Sequence, residues 1–342
     1  MNAANSCTTN SDMVARPLDA LSLASWIKYL VTLIFFATIN SLLVLFYQLR
    51  ITGCSGYGYE PEAYLAQCAS KTYGDYEHGA LALKIENRAI DYLERAQVVV
   101  LGDSHAMVAF SGTPTREYFS SRGMRFYNAA LSGEISGFFE FFLSTVRLRA
   151  KVIVIDVDPF FLAGMSQAGR FIVEQPTRAL LEYWIKQKWQ VAHRYSCSSA
   201  APIVRWFCGN AFSVFRSVTD GRLIVDWTRV YGSPLPRLPA TRGVHTPAEN
   251  ELRINVAKEF LSRLHLDASC VILTAIPMGW VGDFSDSAQA IALALGASYI
   301  NPSIEGLTVM DGVHLDESSA AAWSEQFWRE ATPIIEHCLG MK

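Results

Sequence analysis

The sequence predicts an α/β protein built on a doubly wound, mostly parallel sheet, with one membrane-spanning helix ahead of it and an insertion within it. Three observations carry that reading. Short β-branched runs at 97–101 (QVVVL), 152–157 (VIVIDV) and 269–276 (SCVILTAI) have the character of buried parallel strands. Helical patterns at about 113–121, 134–148, 248–265, 284–295 and 318–338 fall between or after them, giving the β, α, β, α alternation of a parallel sheet. The 21 residues between Lys28 and Arg50 carry no charge.

From the N-terminus, residues 1–27 form a polar leader, expected in the cytoplasm. Residues 28–49 form the span, since 21 helical residues at about 1.5 Å each cross a hydrocarbon core of about 30 Å. A cleaved signal peptide is the rival, but the apolar stretch exceeds a signal h-region and no small-residue cleavage site follows Tyr47. Tyr29 and Tyr47 stand where interfacial aromatic belts fall, and Asn40 is the one strongly polar side chain between them. Residues 50–92, glycine-rich at first and without apolar periodicity, read as a tether with one short helix near 61–69. Residues 93–342 form the folded domain, interrupted from about 164 to 250 by the insertion. The insertion holds a helical stretch from Pro176 to Arg194 and a Pro-rich loop, and Trp184, Trp189, Trp206 and Trp227 are expected in its core.

Composition narrows the function. Of 342 residues 51% are hydrophobic and 18% charged, and 32 acidic against 29 basic side chains leave a net charge of -3, so no basic field exists to hold nucleic acid. The seven cysteines show no CxxC or paired Cys/His spacing, and neither a metal nor a cofactor is expected. Lys and Arg flanking the span barely favour either orientation. Cys54 with Cys68, and Cys197 with Cys208, are close enough in sequence to pair, which would put everything after residue 50 in an oxidising compartment and leave Cys7 reduced. The alternative is four free thiols in ordinary packing.

Ligands of an open α/β sheet bind beyond the carboxyl ends of the strands, and the first strand here runs into Gly102-Asp103-Ser104-His105. Ser104 is placed like a nucleophile. Such a serine needs a base and a group to orient that base, and Asp311-Gly312-Val313-His314 supplies both from one loop. Either piece alone is commonly a helix cap or a surface turn; the two together, in this order on this fold, are more specific.

These segments resemble the SGNH, or GDSL-type, hydrolase superfamily, whose fold is a flavodoxin-like three-layer sandwich. VVVLGDSH resembles its first block, with Ser104 as nucleophile and backbone donor, and DGVHLDESSAAAW resembles its last, with Asp311 and His314. Asn128 to Gly133 falls in register with the second block: Ala130 replaces one glycine, Gly133 keeps the other, and both are implied as oxyanion-side positions. At the third block Asp158 replaces the family's asparagine, and a carboxylate there repels an oxyanion unless it is protonated or turned away. The resemblance covers 95–160 and 268–335. Membrane-anchored relatives, such as those resembling alginate O-acetylation and teichoic-acid D-alanylation proteins, act on cell-surface polymers, some beside a polytopic membrane-bound O-acyltransferase.

The resemblance thus implies a single-pass protein of a bacterial inner membrane whose periplasmic domain transfers an acyl group, acetyl above all, to an extracellular polysaccharide through Ser104, His314 and Asp311. A carbohydrate O-acetylesterase with the same triad and a catalytically inactive scaffold are the alternatives. Beyond the triad, His105 is expected to make a local hydrogen bond at the helix start, and His245, with Arg237 and Arg242, to lie in a solvated loop. Asp156 and Asp158 face one side of a strand end, as a carboxylate pair or a strand cap.

Overall fold

The computed structural model describes residues 23–56, 59–69, 73–157, 159–225, 233–236, 245–278 and 284–341. The chain divides into two units, Met1–Gln48 and Leu49–Lys342. The first is dominated by α1 (Leu23–Thr52), whose stretch Ala24–Leu45 has a hydropathy of 1.9 and no buried part. Among the described residues this is the one helix long and apolar enough to cross a membrane, its 22 residues reaching about 33 Å.

The second unit is mixed α/β. Its main sheet comprises β3 (Val98–Leu101), β4 (Phe126–Asn128), β5 (Val152–Asp156), β9 (Val271–Thr274) and β10 (Ser298–Tyr299), in the order β10-β9-β5-β3-β4. Every neighbouring pair is parallel. Numbered within the sheet, that order is 2-1-3-4-5, the doubly wound order of flavodoxin-like sheets, with its switch point between β3 and β5. Both faces are covered, so successive residues enter different cores. Val99, Leu101, Ile153 and Ile155 pack under α3 (Asn87–Arg95), α6 (Ser136–Thr145), α10 (Pro247–Ser262) and α11 (Ser285–Leu295). Val98, Val100, Val152 and Val154 pack under α4 (Ser104–Ala109), α5 (Thr113–Ser121) and α12 (Glu317–Leu339), where Phe110, Trp323, Phe327 and Trp328 fill the layer. This period of two is why the strands read as unbroken apolar runs.

The tether expected over 50–92 is instead part of the folded unit. β1 (Ala63–Cys68) occupies the place of the expected short helix; it pairs antiparallel with β2 (Gly74–Asp75) and with β6 (Ser213–Ser217), which in turn pairs with β7 (Leu223–Ile224). AYLAQC has no strong strand propensity, so tertiary pairing and the Cys54–Cys68 disulfide override local preference. All six residues of α2 (Glu77–Ala82) are buried. A third, two-stranded ladder joins β8 (Leu235–Pro236) to β11 (Thr308–Val309).

The insertion contributes α7 (Gln167–Glu174), α8 (Pro176–Ser198), α9 (Pro202–Arg205), β6 and β7. It closes on the sheet edge, where Asn128 of β4 donates its N–H to Asp220 O, 2.8 Å away. Its core is not made of tryptophans. Trp184, Trp189 and Trp206 are 49, 38 and 53% exposed, while Tyr183, Gln190, His193 and Phe215 are buried; Trp227 lies outside the described residues. The described residues hold three disulfides: Cys54–Cys68, Cys197–Cys208 and Cys270–Cys338, the last across 68 residues and joining the segment before β9 to α12.

Candidate active site

β3 ends at Leu101, and the chain turns sharply at Gly102 to start α4. Gly102 has φ +153°, and a Cβ there would lie 2.8 Å from Ala106 Cβ and 3.0 Å from Asp156 Cβ, so only glycine lets the turn pass so close to β5. Asp103 caps α4 by accepting the His105 N–H at 2.8 Å. Ser104 is thereby the first helical residue, half-exposed at the sheet's switch point. Its own N–H has no acceptor within the helix, as for any residue in a first turn.

Asp311 and His314 come from the loop between β11 and α12. Asp311 Oδ1 accepts the N–H groups of Val313 (3.0 Å) and His314 (2.8 Å), folding the loop on itself with Gly312 at φ +84°. Asp311 Oδ2 lies 2.7 Å from His314 Nδ1, and His314 Nε2 lies 2.8 Å from Ser104 Oγ. A carboxylate only accepts, so Nδ1 carries the proton and Nε2 is left to accept the serine hydroxyl. Burial pushes the Asp311 pKa up, but its hydrogen bonds from His314 and Val313 outweigh that and hold it well below the usual carboxylate range. The three residues, 210 positions apart at their extremes of contact, form one hydrogen-bonded chain.

His105 stacks on His314, with ring centroids 5.0 Å apart and planes at 30°, and its Nδ1 sits 2.9 Å from Asp103 Oδ1. The local hydrogen bond expected of it is there; its contact with the His314 ring was not foreseen. Asp103, His105 and Asp156 hold one donor atom each within 4.8 Å of one another and are the residues near the site that could grip a metal ion. Asp156 Oδ1 also accepts the Ile276 N–H, at 3.3 Å, tying β5 to the end of β9. His245 stacks on Phe284, 4.6 Å away, and Arg237, Arg242 and Asp158 lie outside the described residues.

Of the expected backbone donors, Ala130 does not face the serine freely: it is fully buried and donates its N–H to Asn128 Oδ1 at 3.2 Å. Gly133 is exposed, has φ +66°, and its N–H meets no acceptor among the described residues. Asn128, the head of the second block but given no role there, donates through Nδ2 to the carbonyls of Ala106 and Met107, 3.2 Å each, and so clamps the 128–133 loop to the helix that carries Ser104. Leu131 N–H donates to Gly102 O at 2.9 Å, completing the contact.

Beneath this loop lies a buried ionic network. Arg216, fully buried, donates to Glu77 Oε2 (3.1 Å), Gly221 O (2.9 Å) and Asn128 O. Glu77 Oε1 accepts the Ser132 N–H at 3.1 Å. His78 Nδ1 is 2.8 Å from Asp75 Oδ2, and its Nε2 is 3.1 Å from Ser132 O and 3.3 Å from Glu134 Oε1. Burial lowers the His78 pKa, but the surrounding carboxylates Asp75, Glu77 and Glu134 raise it to about 9. The one sequence signal of this network is a Glu-His pair at the head of an otherwise apolar run, EHGALA.

The chain matches no family model, and no curated protein or solved structure is significantly similar to it. Its class is therefore defined by geometry: a parallel α/β sheet with a serine, a histidine and an aspartate hydrogen-bonded in series at the carboxyl end of its first strand.

Proposed function

We propose that the protein is a serine-dependent acyltransferase of SGNH type, held by α1 in a bacterial inner membrane with its catalytic unit on the outer face, which acetylates an extracellular polysaccharide. The observation that carries this is the Ser104–His314–Asp311 chain, with both links at hydrogen-bond distance and the orienting carboxylate held ionised. Ser104 Oγ attacks the acyl carbonyl while His314 Nε2 takes its proton; the tetrahedral adduct collapses as His314 returns that proton to the leaving oxygen. A glycan hydroxyl then attacks the acyl-enzyme and gives its proton to His314, which passes it to Ser104 Oγ as the serine leaves. The Ser104 and Gly133 N–H groups are the backbone donors for the oxyanion. Three disulfides suit an oxidising exterior. The anchor favours transfer from a polytopic membrane-bound O-acyltransferase partner, because an esterase needs no tether.

The second reading is an O-acetylesterase with the same triad, favoured by the 20% exposure of the His314 side chain, which lets water reach the acyl-enzyme. A fluorophosphonate probe tests both against an inactive scaffold: labelling is expected in the parent and lost in Ser104→Ala, and a folded parent that never labels overturns the enzyme reading. Donor and acceptor polysaccharide in one membrane preparation then separate the two, since acetyl released only to water identifies the esterase.

A further inference from the structure

α8 turns an apolar side to solvent. Its inward stripe is Ala179, Tyr183, Gln190 and His193, all buried. Its outward residues are Leu180, Leu181, Trp184, Ile185, Val191 and Tyr195, each between 48 and 69% exposed. The surface continues onto α9, where Ile203 is 77% exposed and Trp206 53%. A helix of a water-bathed domain carries charge on this side, and contiguous apolar surface of this kind marks an interaction face.

The face ends where the chain emerges from α1. The end of α8 is bonded to the segment after α9 through Cys197–Cys208. His193 Nε2 donates to Cys54 O at 2.7 Å, Gly209 N–H to the same oxygen at 3.1 Å, and Ala211 N–H to Gly53 O at 2.9 Å. Gly53 directly follows Thr52, the end of α1, and the apolar stretch of α1 closes at Leu45, seven helical residues or about 10 Å earlier. In sequence, only residues 46–52 separate Leu45, the end of the apolar stretch, from Gly53, to which this edge is bonded. The charge along the face is cationic: Arg178, Lys188 and Arg205 are exposed, Lys188 Nζ sits 5.3 Å over the Trp184 ring, and Glu182 is paired with Lys186 at 3.0 Å. Tryptophan and tyrosine among aliphatic side chains, edged by Lys and Arg, is the composition of an interfacial helix.

We propose that the outer face of α8 and α9 lies on the surface of a bilayer containing anionic lipid, with Trp184 and Trp206 at headgroup depth and Arg178, Lys188 and Arg205 against lipid phosphates. The proposal rests on α1 spanning that bilayer. Docking fixes the height of the catalytic unit above the membrane, which a single flexible attachment does not.

The test is tryptophan fluorescence of the full chain in phosphatidylcholine–phosphatidylglycerol vesicles whose acyl chains are brominated just below the headgroups. Trp26, within α1, reports the span, and its share is isolated with Trp26→Phe. Trp184→Phe and Trp206→Phe are each expected to remove part of the quenched signal, and Leu181→Glu with Ile185→Glu to remove the Trp184 part while leaving fluorophosphonate labelling of Ser104 unchanged. If Trp26 is quenched while Trp184→Phe and Trp206→Phe change nothing, the docking proposal is overturned and the span stands. The same pattern with these residues cross-linking to a second copy gives the face to protein. Absence of quenching even at Trp26 removes the span and the docking with it.

Discussion

Arg216→Met should cost the 49–342 unit about 3–5 kcal/mol at pH 7, the usual price of stripping one partner from a buried ion pair. Glu77, 1% exposed, would keep only the Ser132 N–H, and the carbonyls of Asn128 and Gly221 would each lose a donor. Each orphaned acceptor adds about 1–3 kcal/mol, which the apolar methionine chain offsets in part. Thermal melts by circular dichroism, with disulfides intact, should show Tm falling by roughly 5–8 °C, given about 2.1 cal/mol/K of unfolding entropy per residue across this unit. The deficit should shrink at pH 5. Burial already pushes the Glu77 pKa up against the opposing pull of Arg216, and with Arg216 gone nothing comparable resists it. A folded-state pKa above the unfolded one means stability is lost as pH rises, so the variant fares worse at pH 7 than at pH 5. Glu77→Gln in the same background should recover part of the loss, because the uncompensated charge is then absent. A Tm within about 2 °C of the parent at pH 7 would refute the view that this network bears on the fold. Since Arg216 holds Asn128 O, fluorophosphonate labelling of Ser104 should slow in the variant even well below its Tm.

The His78 pKa of about 9 stands above the ordinary 6.5, so its contribution, about 3 kcal/mol, is complete below pH 6.5 and is lost as pH rises through 9. Tm followed from pH 6 to 10 should decline over that window in the parent and much less in His78→Gln; parallel curves would rule the idea out. Asp311→Asn should reduce probe labelling by roughly 10⁴-fold, because an amide can hold the imidazole in the wrong tautomer, whereas Ser104→Ala abolishes it. Asp311 stays ionised throughout the mildly acid range, so no activity loss between pH 4 and 6 should disappear on its replacement. Cys270→Ala with Cys338→Ala opens a crosslink spanning 68 residues and should cost about 4 kcal/mol in the chain-entropy model, read as a shift of the denaturation midpoint. Peptide mapping without reduction should recover all three cystine pairs.

The parallel sheet and the triad were legible because each is written locally. Buried strands such as Val98–Leu101 are unbroken β-branched runs, and Asp311 and His314 sit within one turn of chain. What escaped depends on distant partners. β1 is a strand only because β6, about 150 residues on, pairs with it, and nothing in AYLAQC announces that. β4 and β10 are three and two residues long, too short for periodicity to register. Asn128 shows in sequence only as the head of the second block, yet its side chain ties that block to α4. The tryptophans of α8 misled for a physical reason: large apolar side chains are assigned to a core by default, and an apolar outer face looks the same in sequence.

The separation of Ser104 from His314 also sets when the chemistry can begin. A ribosome adding about 5–20 residues per second delivers His314 roughly 10–40 s after Ser104, since 210 positions divide them. Through that interval the serine lies on a nascent chain with no base to activate it. The loop that brings His314 is held between β11 and α12, and α12 is fastened to the residues before β9 only once Cys338 can reach Cys270. Synthesis through residue 314 must therefore precede the hydrogen-bonded series, and a chain stalled before residue 311 carries a serine that is chemically ordinary toward everything it meets.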